Sequence, residues 1–221
     1  MHAEVPKSST WKEFSSEYLM IVISILTALA LEHAVQSWHH RHLAHEAAER
    51  MDVELHANVK EVDKVLAHNE SRYDALEKMR GELLAGMRDK TSDAELIERL
   101  RSDWRDAVAL SLRVPTLHRE AWDTAVANQA VTWMTRDQLE RYATIYGAMR
   151  DKAALFNNGM VSFLDGPQTR DVMSDVEMGL AKPQDIYRMA SQMSAAYGSF
   201  DGNMKILKQE LKEATGAQEG H

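Results

Sequence analysis

Cysteine is missing from all 221 residues of this chain, which excludes disulfides, thiolate nucleophiles and cysteine-ligated zinc or iron–sulfur centres. Proline is nearly as scarce, with four residues and none between Pro6 and Pro115, so nothing interrupts a helix over that stretch. Strand signals are absent as well: there is no alternating β-branched run, and no Asn-Gly or Asp-Gly hairpin joins apolar segments. The net charge of -8 is spread along the chain without a basic block, which argues against nucleic acid as a partner. No G-x-S-x-G, Walker A loop or G-x-G-x-x-G occurs, and no repeat of solenoid period. With 44% hydrophobic residues and only 10 glycines, the chain can still bury a core, and that core is expected to be all-α.

What is present begins with Trp11 to Trp38, WKEFSSEYLMIVISILTALALEHAVQSW. Its uncharged run, Tyr18 to Leu31, covers roughly 21 Å as a helix, short of the ~30 Å hydrocarbon core of a bilayer. The flanks extend it, because Trp11 and Trp38 lie roughly 40 Å apart along a helix, the span of a bilayer with its headgroup layers. Tryptophans at those two levels form an aromatic belt. Thr10 with Glu13 makes a capping box that starts the helix at Trp11. A cleaved secretory signal is the main rival, since Ala28-Leu29-Ala30 reads as a cleavage site; a buried soluble helix is the other. The flank before the apolar core carries Glu4, Glu13 and Glu17 against Lys7 and Lys12, the wrong sign for a signal peptide, so an uncleaved anchor is preferred. Lys7, Lys12 and the amino terminus, set against Arg41 and Arg50, place the amino terminus in the cytoplasm and the bulk outside.

Beyond the anchor the apolar positions keep a helical period. Leu55, Val62, Asn69, Leu76 and Leu83 recur every seven residues, interleaved with Val59, Leu66 and Tyr73, which predicts one long amphipathic helix with coiled-coil character. Gly81 and Gly86 weaken its end, and Asp89 to Asp93 closes it. Ser92 with Glu95 opens a helix through Leu96, Leu100, Trp104 and Val108 to about Leu112, and Pro115 ends or kinks it. A further helix is expected from about Leu117 to Ala127, with Asn128 in the left-handed position after it. Thr135 with Gln138 caps the next helix, which carries Leu139, Tyr142, Tyr146 and Met149 and extends to Phe163. Asp165, Gly166 and Pro167 mark a turn, a short helix follows near Val172 to Leu180, and Pro183 starts a long one to about Ala214. The division expected is a tail (1–10), a transmembrane helix (11–38), a juxtamembrane long helix (39–90), a helical bundle (91–214) and a tail (215–221).

Two segments resemble a group of uncharacterised bacterial single-pass membrane proteins. The first is Trp11-Lys12-Glu13-Phe14, then Glu17, then the apolar helix from Tyr18 to Glu32; the second is Trp122-Asp123, then Asn128-Gln129 where those proteins carry Ser-Gly, then Leu139 to Tyr146. The resemblance implies a bacterial inner-membrane anchor with a helical domain, and it supplies no active site.

Candidate sites are few. Seven of ten histidines lie from His33 to His68, and on a helix His42, His45, Glu46 and Glu49 share one side, a donor set for zinc, copper or nickel. Proton sensing near pH 6 and a plain solvated helix among lipid headgroups are the other readings. Glu49 stands where an H-E-x-x-H site needs histidine, which weighs against metal. In the anchor, Glu17, Ser24, Ala28 and Glu32 fall within about 80° of one helical face, so small residues and carboxylates can meet another membrane helix; snorkelling to the interface and an ion path in an oligomer compete. Leu55, Val62, Leu66 and Asn69 form the expected long-helix association seam, where Asn69 either fixes register or sits wetted at a bundle rim. Trp104, Trp122, Trp133, Tyr142 and Tyr146 read as core, and His118 with Glu120 and Asp123 as an exposed turn.

The function these features favour is a membrane-anchored interaction or scaffold module, a sensory subunit being one form, with the lipid bilayer and a second copy or another membrane protein as partners. The alternative is a metal- or pH-responsive module using the juxtamembrane histidines. No catalytic set and no cofactor site can be assembled.

Overall fold

The computed structural model describes residues 11–101, 112–156 and 166–216. Among them are six α-helices, one 3-10 turn and no strand. The first helix, α1 (Trp11–Arg88), is 78 residues long and unbroken, as a proline-free stretch with helical periodicity requires. It is followed by α2 (Asp93–Arg101), α3 (Glu120–Ala127), the 3-10 turn Ala130–Trp133, α4 (Arg136–Leu155), α5 (Pro167–Met178) and α6 (Pro183–Gly216).

The two parts of α1 meet different surroundings. From Phe14 to Trp38 its large apolar residues are exposed on every side, and this is the one described helix long and apolar enough to cross a membrane. From Ala44 on, one face is buried: Met51, Leu55, Val62, Leu76 and Leu83 have no accessible surface. That face lies against α6. Glu77 pairs with Ser194 and Asp63 with Lys208, fourteen residues apart on each helix, so α1 and α6 run antiparallel in step. The core divides along this pair. Near Met51 to Val65 it takes in α3, α4 and the last turns of α6 from Phe200; near Leu76 to Leu83 it takes in Val172 of α5 and the first turns of α6. The expected juxtamembrane helix and bundle therefore share both core clusters, and α1 is the spine of that head.

This burial corrects the association seam. Leu55, Val62 and Asn69 face their own chain and Leu66 packs against the same core, because α6 supplies within the molecule the partner that a coiled coil would need from outside. The second buried line is Asn58, Val65 and Met79; the expected Val59, Leu66 and Tyr73 flank it, half-buried. A polar residue at position 58 had shifted the apolar pattern by one.

Local signals account for most helix ends. Thr135 and Gln138 make the expected reciprocal capping box, and Pro167 and Pro183 open their helices. Lys90 closes α1 in the left-handed conformation (φ 55°), with the Thr91 amide donating to the Gly86 carbonyl at 3.0 Å. After α3 the left-handed residue is Gln129 (φ 62°), not Asn128. Asn128 is held out of that conformation by its own side chain, which accepts a hydrogen bond from the Ala130 amide at 3.0 Å. Residues 112–119 are not helical, so α3 begins at Glu120 instead of Leu117. Trp104, Val108 and the expected extension to Phe163 lie outside the described residues.

Candidate functional site

Two constellations stand out, one inside the head and one where α1 enters it. The inner one is built from polar residues on the core side of α1. Asn58, fully buried, donates to the His118 carbonyl at 2.7 Å and accepts from the His118 amide at 2.8 Å. Asn69 repeats the arrangement with Arg113, at 2.9 and 3.0 Å. Eleven helical residues at 1.5 Å and five extended ones at 3.3 Å each cover roughly 16.5 Å, so the two asparagines match the two backbone sites in length. The segment is thereby tied antiparallel to α1, with Pro115 buried between the ties.

Asp52 and Glu54 extend this network. The Tyr142 hydroxyl donates to Asp52 at 2.9 Å and the Tyr146 hydroxyl to Glu54 at 2.7 Å. Burial first, and those carboxylates second, push both phenols above their ordinary 10.0, so both remain neutral donors. Glu54 also accepts the Ala121 amide at 3.0 Å, serving the first turn of α3, whose own N-cap Arg119 makes no side-chain cap. Arg141 lies 3.6 Å from Asp52, stacks over Tyr142 and donates to the Ala214 carbonyl at 2.7 Å, at the negative end of α6. Each of these side chains has a partner on another element, and together they tie α1 to the 112–119 segment, α3, α4 and α6. On the exposed turn nearby, His118 meets Glu120 at 3.4 Å and Arg119 pairs with Asp123 at 2.7 Å.

The outer constellation is a collar at the end of the head where the exposed apolar part of α1 enters it. Trp38 stacks on His42 (ring centroids 5.7 Å apart, 1° between planes), and His40 stacks on Trp133 (3.7 Å, 8°). Below that stack lies a recess of about 350 Å³ lined by His33, Gln36, Ser37, His40, Arg41 and Trp133. Trp133 is 49% exposed, so it is not the core residue the sequence led us to expect. The proposed metal donors do not converge. His45 contacts Glu49 at 3.3 Å, Glu46 binds Arg50 at 2.6 Å and His42 faces Trp38. Among the described residues no three of His, Asp or Glu gather to hold an ion. In the first part of α1, Glu17, Ser24, Ala28 and Glu32 are all exposed; Ser24 donates to the Met20 carbonyl at 2.8 Å and Glu32 accepts from Gln36 at 3.3 Å.

A further recess of about 250 Å³ between α1 and α6 is lined by Glu70, Tyr73, Asp74, Tyr197, Asp201 and Lys205, with Asp201 and Lys205 paired at 2.6 Å. Sequence reasoning missed Asp52, Glu54 and Asn58. For Asn58 its place in the four-three rhythm of Leu55 and Val62 was visible, but a polar side chain at a core position carries no hydrophobic signal; Asp52 and Glu54 carried none. Comparison with protein-family models, with curated proteins and with solved structures gives no match for this chain.

Proposed function

We propose that the chain is a membrane-anchored α-helical interaction or scaffold module without catalytic chemistry, a sensory subunit being its most specific form. In this reading α1 crosses the inner membrane of a bacterium once and the head stands on the periplasmic side. The observation that carries it is the continuity of α1, whose exposed apolar part runs into the buried spine of the head without a break. A rod shared by two surroundings transmits a tilt or rotation from one to the other. With Leu55 and Val62 taken up inside the head, association with a second copy or another membrane protein falls to the exposed stripe of Glu17, Ser24, Ala28 and Glu32.

The test is extraction. The full-length protein should stay with membranes through a carbonate wash and leave only with detergent, and a form lacking residues 1–38 should be soluble and strongly helical. A mature species beginning at Leu31 would overturn the anchor. The metal- or pH-responsive alternative draws support from the His40–Trp133 stack, where one of the clustered histidines meets a second element of the head.

A further inference from the structure

The level of Trp133 along α1 is set by its partner. His40 lies two residues beyond Trp38, a rise of roughly 3 Å, so the Trp133 ring sits level with the tryptophan that ends the apolar part of α1. It belongs to a different element, the Ala130–Trp133 turn, held by the left-handed Gln129 and the Asn128 hydrogen bond. Near it in sequence, Val126 is 46% exposed. Among the described residues, the recess that Trp133 lines offers hydrogen-bond donors and one fixed positive charge, Arg41, and no lining carboxylate, the Glu32 carboxylate standing one hydrogen bond away on Gln36. His33, Ser37 and His40 follow four-three spacing, so they present this chemistry on one face of α1.

We infer that the Ala130–Trp133 turn is a second membrane contact: Trp133 beds in the headgroup layer of the bilayer that α1 crosses, and the recess takes a lipid phosphate on Arg41. This deepens the anchor reading and rests on it. Three observations select a lipid surface over a protein partner. The turn lies level with Trp38; an exposed indole there has the preference of indoles for the wet edge of a bilayer; and a recess lined by donors and by Arg41 complements phosphate. Arg serves such a site better than Lys because its planar fork binds two phosphate oxygens at once. With two contacts α1 and the head it carries cannot spin or tilt freely in the bilayer, and the head's rotation relative to the membrane is fixed.

The absence of cysteine makes the test direct. Single variants Ile25→Cys, Thr132→Cys and Met178→Cys of the full-length protein would each carry an environment-sensitive fluorophore in vesicles of phosphatidylcholine with phosphatidylglycerol. Quenchers are placed on lipids at a shallow and at a deep position. The label at 25 should respond to the deep quencher, the label at 132 to the shallow one, and the label at 178, on the distal helix α5, to neither. Adding Trp133→Ala or Arg41→Gln to the Thr132→Cys variant should reduce the shallow quenching at least twofold. An unquenched label at 132 beside a quenched one at 25 overturns the second contact and leaves the anchor standing. An unquenched label at 25 overturns both. Quenching at 132 that survives loss of Trp133 and of Arg41 assigns the contact to other residues and rejects the site.

Discussion

The two parts of α1 share one backbone and differ only in where their apolar side chains fall. Leu26 and Leu29 are 60% and 56% exposed in the first part; Leu55 and Val62 are fully buried in the second. The first part exposes large apolar side chains over most of its circumference, interrupted by the stripe of Glu17, Ser24 and Glu32, whereas the second is apolar along a stripe and needs a partner helix, which α6 provides. A helix tells its surroundings by how its hydrophobic residues are distributed more than by how many it has. The largest effect that separates the two parts is a cavity. Leu55→Ala should lower the stability of the head by about 2–5 kcal/mol, as deletions from closed cores do, while Leu26→Ala should leave the head's unfolding midpoint unchanged. Urea unfolding of the detergent-solubilised protein, followed by helical circular dichroism, makes the comparison. Equal losses at the two positions would mean that the first part also packs against protein.

Much of this was legible in residues that obey local rules. The heptad from Leu55 to Leu83, the Thr135–Gln138 box and the proline at 183 each carry a signal whose cause lies within a few positions, whereas Pro167, expected in a turn, opens α5 five residues before the helix expected near Val172. The register of the complementary line was not legible, because Asn58 occupies a core position for its amide and not for its hydrophobicity. Residues 112–119 fail for a related reason. Their extended course is fixed by groups 44 to 60 positions away on α1, a distance no local pattern records. The collar was half legible: Trp38 announced itself by its spacing from Trp11, while Trp133 was assigned to the core because aromatic residues in helical patterns are commonly buried.

The polar ties sharpen the comparison inside the buried half. Asn58→Ala and Asn69→Ala each leave a backbone amide and a carbonyl without their partner, and each should cost about 1–3 kcal/mol, less than the Leu55 cavity at its upper end. The loss should be local in character. Hydrogen exchange at the His118 amide should accelerate in Asn58→Ala, and at the Arg113 amide in Asn69→Ala, before the helices of the head lose protection. Because both residues hold one segment, the double variant should cost less than the two singles combined. Strict additivity would show that the ties act independently and that the segment is rigid without them.

The smallest effect lies in two glycines five residues apart near the end of α1. A methyl group added at Gly81 meets nothing within 4 Å, so Gly81→Ala should gain the helical preference of alanine, up to about 1 kcal/mol. At Gly86 the added carbon would stand 2.1 Å from Leu96 Cδ2 and 3.1 Å from Leu96 Cγ, where α2 rests on α1 with Leu96 buried. Leu96 would have to leave its seat, and overpacking of that kind costs about 1–3 kcal/mol, enough to cancel or reverse the same helical gain. Thermal unfolding should therefore move upward for Gly81→Ala and not for Gly86→Ala, and combining Gly86→Ala with Leu96→Ala should remove the conflict at the expense of the leucine's own burial. If Gly86→Ala stabilises as much as Gly81→Ala, α2 does not rest on that face, and the packed side of α1 ends a turn earlier.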